Sequence, residues 1–148
     1  MPTVEANVQI HAPLAEVYAL ARDIESFPEF MPDVQEVRIL EQSADGRQVS
    51  KWIGIVKEFK RTIQWTEEDY WDDTNHTCTF RQTEGDFGLY QGTWAFTEAD
   101  GGTAVALTLE YEYDVPLIGS LIKGLLHRKM QENCDNMLAA IKAKAEGK

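Results

Sequence analysis

The sequence is poor in the side chains that most often bind metal ions, with two cysteines and three histidines. Cys78 and Cys134 lie far apart and form no C-x-x-C motif, so neither a disulfide framework nor a zinc site is indicated. We expect both to be buried thiols. His11, His76 and His127 have no second histidine or carboxylate at ligand spacing, which favours surface or capping roles over a ligand or a base. No metal and no cofactor is expected.

Basic residues are also scarce, with 14 Lys and Arg against 25 Asp and Glu and a net charge of −11. Nucleic-acid binding requires clustered positive charge, so we expect no nucleic-acid partner. The one basic cluster comprises His127, Arg128 and Lys129. It is interpreted as a solvated helix face rather than as a phosphate or headgroup contact.

The sequence has no hydrophobic run long enough to span a bilayer. The apolar segment 115–126 is shorter than the roughly twenty residues required, and Lys123 interrupts it. This segment would still suit a membrane surface or the wall of a pocket. Residues 1–10 lack a basic region followed by an apolar stretch, which predicts no signal peptide and a cytoplasmic location.

Catalytic motifs are missing as well. There is no G-x-S-x-G elbow and no H-E-x-x-H motif. Gly119 and Gly124 have the spacing of a phosphate loop, but Leu125 and Leu126 occupy the positions of its Lys and Ser/Thr. The acidic run 67–69, together with Asp72 and Asp73, admits two interpretations, paired carboxylates or a solvated strand edge. Because neighbouring residues of a strand alternate between faces, we expect the solvated edge.

The clearest pattern in the sequence is the spacing of apolar residues near its C-terminal end. Residues 103–114 alternate between apolar and polar side chains, which predicts a strand. At Pro116 the spacing changes to that of a helix, which continues almost to the C-terminus. A half-buried strand is predicted from Val4 to Ile10, and a helix after Pro13. Further strands are predicted to end near 40–41 and to span 49–56, 59–71, 77–84 and 88–97, with turns at 45–46, 72–75 and 100–102.

This order predicts a single α+β domain over residues 1–148, with one antiparallel sheet of about seven strands and the helices on one face. Phe27, Phe30 and Met31, between the first helix and the second strand, would be either core packing or a pocket wall. The alternation within the strands predicts which residues face the terminal helix. That face combines large aromatic residues with glycines and with two polar residues, Arg61 and Gln82. An apolar cavity with a few polar groups is typical of a small-ligand site, although Arg61 would equally suit an ion pair at the rim.

Several segments resemble a known superfamily: Ile10-x-Ala12-Pro13, Asp23-x-Glu25-x-Phe27-Pro28, Gly92-Thr93-Trp94-x-Phe96 and Tyr111-x-Tyr113. Together with the order of elements, they resemble the SRPBCC superfamily of START-like helix-grip proteins. Within it, the chain is most similar to the polyketide cyclase/dehydrase-like branch, which includes coenzyme Q-binding proteins and the ribosome-association toxin family. The resemblance implies a curved sheet, two short N-terminal helices and a long C-terminal helix that enclose a hydrophobic cavity.

The resemblance implies binding or transport of a hydrophobic small molecule, with a quinone or isoprenoid lipid as the expected ligand. We expect a binding protein rather than an enzyme. The alternatives are a polyketide cyclase or aromatase, in which Arg61, Tyr90 and Tyr111 would act on the substrate, and a ribosome-association factor that contacts a basic ribosomal protein. A peripheral membrane contact is also left open. The residues predicted to bind the ligand are Trp52, Arg61, Trp65, Phe80, Gln82, Tyr90, Trp94, Leu109, Tyr111, Leu121 and Leu125.

Overall fold

The computed structural model describes residues 2–56, 61–113 and 120–147, and within them not the side chains of residues 56, 61 and 120–122. The predicted helix start at Pro116 and the predicted strand start at residue 59 lie outside this range. The described elements are β1 (Thr3–Ile10), α1 (Leu14–Arg22), a 3-10 helix (Ile24–Glu29), β2 (Val34–Gln42), β3 (Arg47–Val56), β4 (Arg61–Asp72), β5 (Thr77–Gly85), β6 (Leu89–Ala99), β7 (Gly102–Glu112) and α2 (Ser120–Ala145).

The seven strands form one antiparallel sheet in the order β1-β7-β6-β5-β4-β3-β2. Neighbours in sequence are neighbours in space from β2 to β7, and β1 completes the sheet by pairing with β7. The predicted α+β helix-grip architecture is therefore confirmed, with its long C-terminal helix and short N-terminal helices.

The register of the sheet confirms the predicted inner face of the strands. Trp52 pairs with Trp65 across β3 and β4, while Tyr90 pairs with Tyr111 across β6 and β7. Directly opposed residues share a face of the sheet, so these aromatic side chains all point to the same side. In β3, Trp52 on this face is buried, whereas its neighbour Ile53 is only half-buried.

Helix α2 packs along the β1 edge of the sheet, and its side chains donate hydrogen bonds to backbone carbonyls of β1. Gln131 donates a hydrogen bond of 2.9 Å to the carbonyl of Glu5, and Lys142 donates one of 2.7 Å to the carbonyl of Gln9. Leu138 and Ile141 of the same helix are fully buried against the core. No helix in the described part of the chain has the length and apolar character needed to cross a membrane.

The linker after α1 contributes to the core. Phe27 and Met31 are almost completely buried, and the Phe27 ring packs against Phe30 and Trp52. None of the three apolar linker residues borders the cavity described below. Of the two interpretations of this segment, core packing is correct.

Candidate functional site

A cavity lies between the inner face of the sheet and helix α2. Its volume is about 70 Å³, whereas about 10 to 15 Å³ by this measure is enough for one water molecule. Close-packed protein interiors contain few voids larger than a water molecule, so this space is distinct from the packed core around it. It is lined by Asp33, Val34, Trp52, Gly54, Ile55, Ile63, Trp65, Glu67, Phe80, Phe87, Tyr90, Trp94, Leu107, Leu109, Met130, Asn133, Cys134 and Met137.

Aromatic rings form most of the sheet side of the cavity. Trp52 and Trp65 stack with their ring centroids 5.8 Å apart and their planes 5° apart, as their pairing across β3 and β4 requires. Tyr90 continues this wall, with its ring centroid 4.8 Å from that of Trp65 and 4.6 Å from that of Phe87. These rings together form a continuous aromatic surface on the sheet side of the cavity.

Helix α2 supplies the opposite wall through Met130, Asn133, Cys134 and Met137. Residues three and four positions apart lie on one face of a helix, which explains this spacing. The two methionines are flexible and adapt to irregular space. Burial raises the pKa of the Cys134 thiol to about 12, so that it stays protonated and behaves as a small apolar group.

The polar groups of the cavity fall into two sets. Asp33 and Asn133 are half-buried where β2 approaches α2, and Asn136 donates a hydrogen bond of 3.0 Å to Asp33 at the same place. Glu67 lies deeper, on β4, and its side chain is 5% exposed. Asp69 follows two residues later on the same face and is 3% exposed.

The expectation that residues 67–69 form a solvated edge is wrong. All three are buried, because β4 is an interior strand between β3 and β5. Glu67 and Asp69 point inward, while Glu68 points to the outer face, where it pairs with Arg47 at 2.8 Å and Arg81 at 3.2 Å. The hydrogen bond from Arg47 holds the pKa of Glu68 below its usual value.

Glu67 and Asp69 form part of a connected hydrogen-bond network. The indole N–H of Trp65 donates to Glu67 at 2.7 Å, and the hydroxyl of Ser50 donates to Asp69 at 2.8 Å. Ser50 in turn accepts a hydrogen bond of 2.9 Å from the indole N–H of Trp52. The two carboxyl groups also hydrogen-bond to each other.

Burial raises the pKa of both carboxyl groups of this pair above their ordinary values. Burial and the neighbouring charge of Asp69 raise the pKa of Glu67 well above its ordinary value. Burial also raises the pKa of Asp69, against the effect of the hydrogen bonds from Glu67 and Ser50. Because each buried ion costs several kcal/mol and a hydrogen bond offsets about 1 to 3 kcal/mol, two ionised carboxylates cannot both be held here. Asp69 accepts the hydrogen bond from Ser50, which favours the charged form of Asp69.

Six of the predicted ligand-binding residues line the cavity: Trp52, Trp65, Phe80, Tyr90, Trp94 and Leu109. The side chains of Arg61 and Leu121 lie outside the described part of the structure, so their predicted roles stay predictions.

Three predicted residues do not border the cavity. Gln82 instead makes two hydrogen bonds to the backbone of Phe87, at 2.7 and 3.2 Å, and Leu125 is half-buried outside the lining. The Tyr111 hydroxyl lies 3.0 Å from Nδ1 of His127, which fastens β7 to the first turns of α2. His127 is therefore a structural partner of Tyr111 rather than part of a solvated face.

The sequence interpretation missed Glu67 and Phe87 as lining residues. For Glu67 the pattern was available, since the inward alternation of Ile63 and Trp65 continues to residues 67 and 69. Phe87 lies beyond the end of β5, after Gly85, whose φ of 149° belongs to a backbone conformation that few other residues adopt. Strand periodicity does not extend through such a corner. No three His, Cys, Asp or Glu side chains are grouped to bind a metal ion in the described segments.

Comparisons with known proteins agree with this geometry. Residues 10–138 match the family described as polyketide cyclase / dehydrase and lipid transport. A crystal structure of TTHA0849 from Thermus thermophilus is 34% identical, with a TM-score of 0.92, covering 99% of this chain and 98% of that one. The Zhui aromatase/cyclase from Streptomyces sp. R1128 shares the fold, with 23% identity, a TM-score of 0.88 and coverage of 97% and 93%.

Among curated proteins, the ribosome association toxin RatA of Escherichia coli K12 is 27% identical over 150 aligned positions, covering 99% of this chain and 88% of RatA. The family match spans most of the chain and includes the strands and the helix that enclose the cavity. The chain belongs to the polyketide cyclase / dehydrase and lipid transport family.

Proposed function

We propose that the protein binds a small hydrophobic molecule between the sheet and α2. The observation that carries this proposal is the aromatic-walled cavity, which remains open although the surrounding core is closely packed. Removing apolar ligand surface from water stabilises a complex by about 25 cal/mol per Å². An apolar cavity offers this stabilisation to any ligand whose shape fits.

The cavity is smaller than the sites of about 300 to 1,000 Å³ that enclose typical small ligands. Binding a ring compound therefore requires part of the wall to move. Met130 and Met137 of α2 are the residues suited to do so, since methionine changes rotamer at low energetic cost. The aromatic wall is fixed by the strand register and would keep its shape.

The family includes lipid transport in its description, and we extend this to a quinone or isoprenoid lipid as the ligand. Such a molecule joins a ring or chain of apolar surface to few polar atoms. That composition matches the lining, in which polar side chains are a small minority.

The test is to purify the protein, extract it with organic solvent and identify the released compounds by mass spectrometry. Quinone titration, followed by the quenching of tryptophan fluorescence, measures binding directly, since Trp52, Trp65 and Trp94 all line the cavity. We expect saturable quenching. A folded protein that releases no apolar compound and shows no saturable quenching would overturn the proposal.

Two glycine substitutions provide a matched pair for this titration. A Cβ atom at Gly54 would lie 3.5 Å from the Trp65 ring, in ordinary contact, and would occupy part of the cavity. A Cβ atom at Gly124, on α2, would meet no atom within 4 Å. Gly54→Ala is expected to weaken quinone binding several-fold, whereas Gly124→Ala leaves it unchanged.

Ribosome association is a second candidate function, supported by the 27% identity to RatA over 99% of this chain. The net charge of −11 disfavours direct contact with RNA and favours a basic ribosomal protein as the partner. Cosedimentation with ribosomal subunits at low and high salt tests this candidate. An interaction between charged surfaces should weaken as salt rises, and failure to cosediment even at low salt would exclude it.

A further inference from the structure

Glu67 is the feature of the cavity that ligand binding through apolar surface alone does not explain. Its side chain is 5% exposed and faces a space bordered by Trp65, Phe80 and Tyr90. Buried carboxyl groups are rare in protein interiors because removing them from water is costly. An apolar side chain at this position would be the less costly way to build a plain core.

The hydrogen bonds of Glu67 leave part of its capacity unused. An ionised carboxylate offers about four lone-pair sites on its two oxygens, and a protonated carboxyl group keeps acceptor capacity in addition to its O–H donor. Its partners among the described residues are the indole N–H of Trp65, at 2.7 Å, and the carboxyl group of Asp69. Asp69 is directed toward Ser50. Glu67 therefore presents free acceptor sites to the cavity.

The charge of the pair limits what else can enter. Within the described residues no Lys or Arg forms an ion pair with Glu67 or Asp69, so negative charge on this pair has no basic partner there. Arg47 and Arg81 bind Glu68, the residue between the two members of this pair in sequence, on the outer face of the sheet. A second anion in the cavity would meet this charge in surroundings of low dielectric constant, where repulsion is strong.

We propose that Glu67, held in place by Asp69 and Trp65, sets the ligand specificity of the cavity: it accepts a hydrogen bond from the hydroxyl group of a neutral ring compound and excludes carboxylate ligands. This inference rests on the proposed function, because it concerns the same cavity. It adds the polar group that the ligand must carry and the charge that the ligand must not carry. The hydroxyl donates, a lone pair of Glu67 accepts, and no covalent bond changes.

Three naphthalene compounds of nearly equal ring size test this specificity by equilibrium dialysis at pH 7. Naphthalene has no polar group, 1-naphthol carries a neutral hydroxyl, and 1-naphthoate carries a negative charge. We expect 1-naphthol to bind about tenfold more tightly than naphthalene, the value of one well-made hydrogen bond. We expect 1-naphthoate to bind at least about tenfold more weakly than naphthalene.

Two variants at position 67 separate the roles of hydrogen bonding and charge. Glu67→Met replaces the carboxyl group by an apolar group of similar length, so the preference for 1-naphthol over naphthalene should disappear. Glu67→Gln keeps a hydrogen-bonding carbonyl, so this preference should persist in it. The exposed Glu84 gives the control, since Glu84→Gln removes a charge outside the cavity and should change none of the three affinities. Circular dichroism shows that each variant is folded before dialysis.

The outcomes distinguish the two proposals. If none of the three compounds binds the wild-type protein, the proposed binding function fails. If naphthalene binds but 1-naphthol binds no more tightly, or 1-naphthoate binds as well as naphthalene, the specificity proposal is overturned while the binding function stands. If Glu67→Met retains the preference for 1-naphthol, Glu67 is not the acceptor.

Discussion

The indole N–H of Trp65 donates a hydrogen bond of 2.7 Å to Glu67, two residues further along the same strand. Both side chains lie on the inner face of β4, so an aromatic wall of the cavity and its buried carboxyl group are joined directly. The bond stabilises the charged form of Glu67 and opposes the effect of burial. The pKa of this carboxyl group therefore affects both the pH dependence of folding stability and the polarity of the cavity wall.

The pH dependence of stability should change in Glu67→Gln. In the unfolded chain a glutamate titrates near pH 4.3, whereas the pKa of Glu67 is raised well above its ordinary value in the fold. Above about pH 4.3 the folded state therefore binds more protons, and this carboxyl group lowers the free energy of unfolding by up to about 1.4 kcal/mol per pH unit. A glutamine side chain does not titrate, so the variant should gain stability relative to wild type as pH rises from about 5 to 7.

Urea unfolding at several pH values measures this difference. Glu84→Gln, at an exposed position, is the matched control and should follow the wild-type curve. If the difference in the free energy of unfolding between Glu67→Gln and wild type is constant from pH 5 to 7, then the pKa of Glu67 is not raised in the fold.

Trp65→Phe should destabilise the protein by about 1 to 3 kcal/mol beyond the loss of ring area, because it leaves a buried acceptor without its donor. It should also raise the pKa of Glu67 further, since the Trp65 hydrogen bond lowers it. Trp94→Phe is the control: Trp94 lines the same cavity and is also half-buried, but its indole N–H has no hydrogen-bond partner among the described residues. Equal losses in denaturant unfolding for the two variants would contradict the prediction.

Gly92→Ala should destabilise the sheet by at least about 2 kcal/mol. A Cβ atom at Gly92 would overlap the carbonyl oxygen of Thr108 and lie 2.7 Å from the ring of Phe80. The carbonyl belongs to the neighbouring strand and cannot move away without disturbing the pairing of β6 with β7. At Gly54 the added atom has ordinary contacts, so Gly54→Ala should change the free energy of unfolding by less than about 1 kcal/mol.

Thermal unfolding of the two glycine variants provides the comparison. A similar melting temperature for Gly92→Ala and Gly54→Ala would mean that β6 and β7 adjust more readily than their register indicates.

Tyr111 and His127 should show energetic coupling in a double-mutant cycle. Their hydrogen bond of 3.0 Å joins β7 to α2, and the rings lie nearly parallel at 18°. With Tyr111→Phe and His127→Ala, we expect a coupling energy of about 0.5 to 1.5 kcal/mol. Tyr18 donates its hydrogen bond to Asp73 instead, so Tyr18→Phe combined with His127→Ala should be additive within about 0.5 kcal/mol.

The fold could be predicted from the sequence because each strand and helix carries its own periodicity. The alternation around Trp52, Tyr90 and Trp94 identified the inner face, since a one-residue slip would have placed these rings in water. Turn residues at 45–46 and 100–102 fixed the hairpins locally. Six of the eleven predicted ligand-binding residues line the cavity for this reason.

The remaining features depend on contacts between residues far apart in sequence, and only the tertiary structure decided them. A sequence pattern predicts which face of a strand a side chain occupies, but not whether the space beside it is filled. Tyr111 and Gln82 were therefore predicted to line the cavity, whereas in the structure they hydrogen-bond to His127 and to the backbone of Phe87. The alternation along β4 predicts which face residues 67 and 69 occupy. The burial of residues 67–69 depends in addition on the position of β4 between β3 and β5, and this position is not encoded in a local pattern. By itself the sequence determined one antiparallel sheet covered by helices and the apolar inner face of that sheet, because hydrophobic periodicity is local, and the resemblance to a known superfamily implied the helix-grip arrangement. The tertiary structure decided that this face encloses a cavity with Glu67 in its wall, because burial and proton affinity depend on what the rest of the chain brings near.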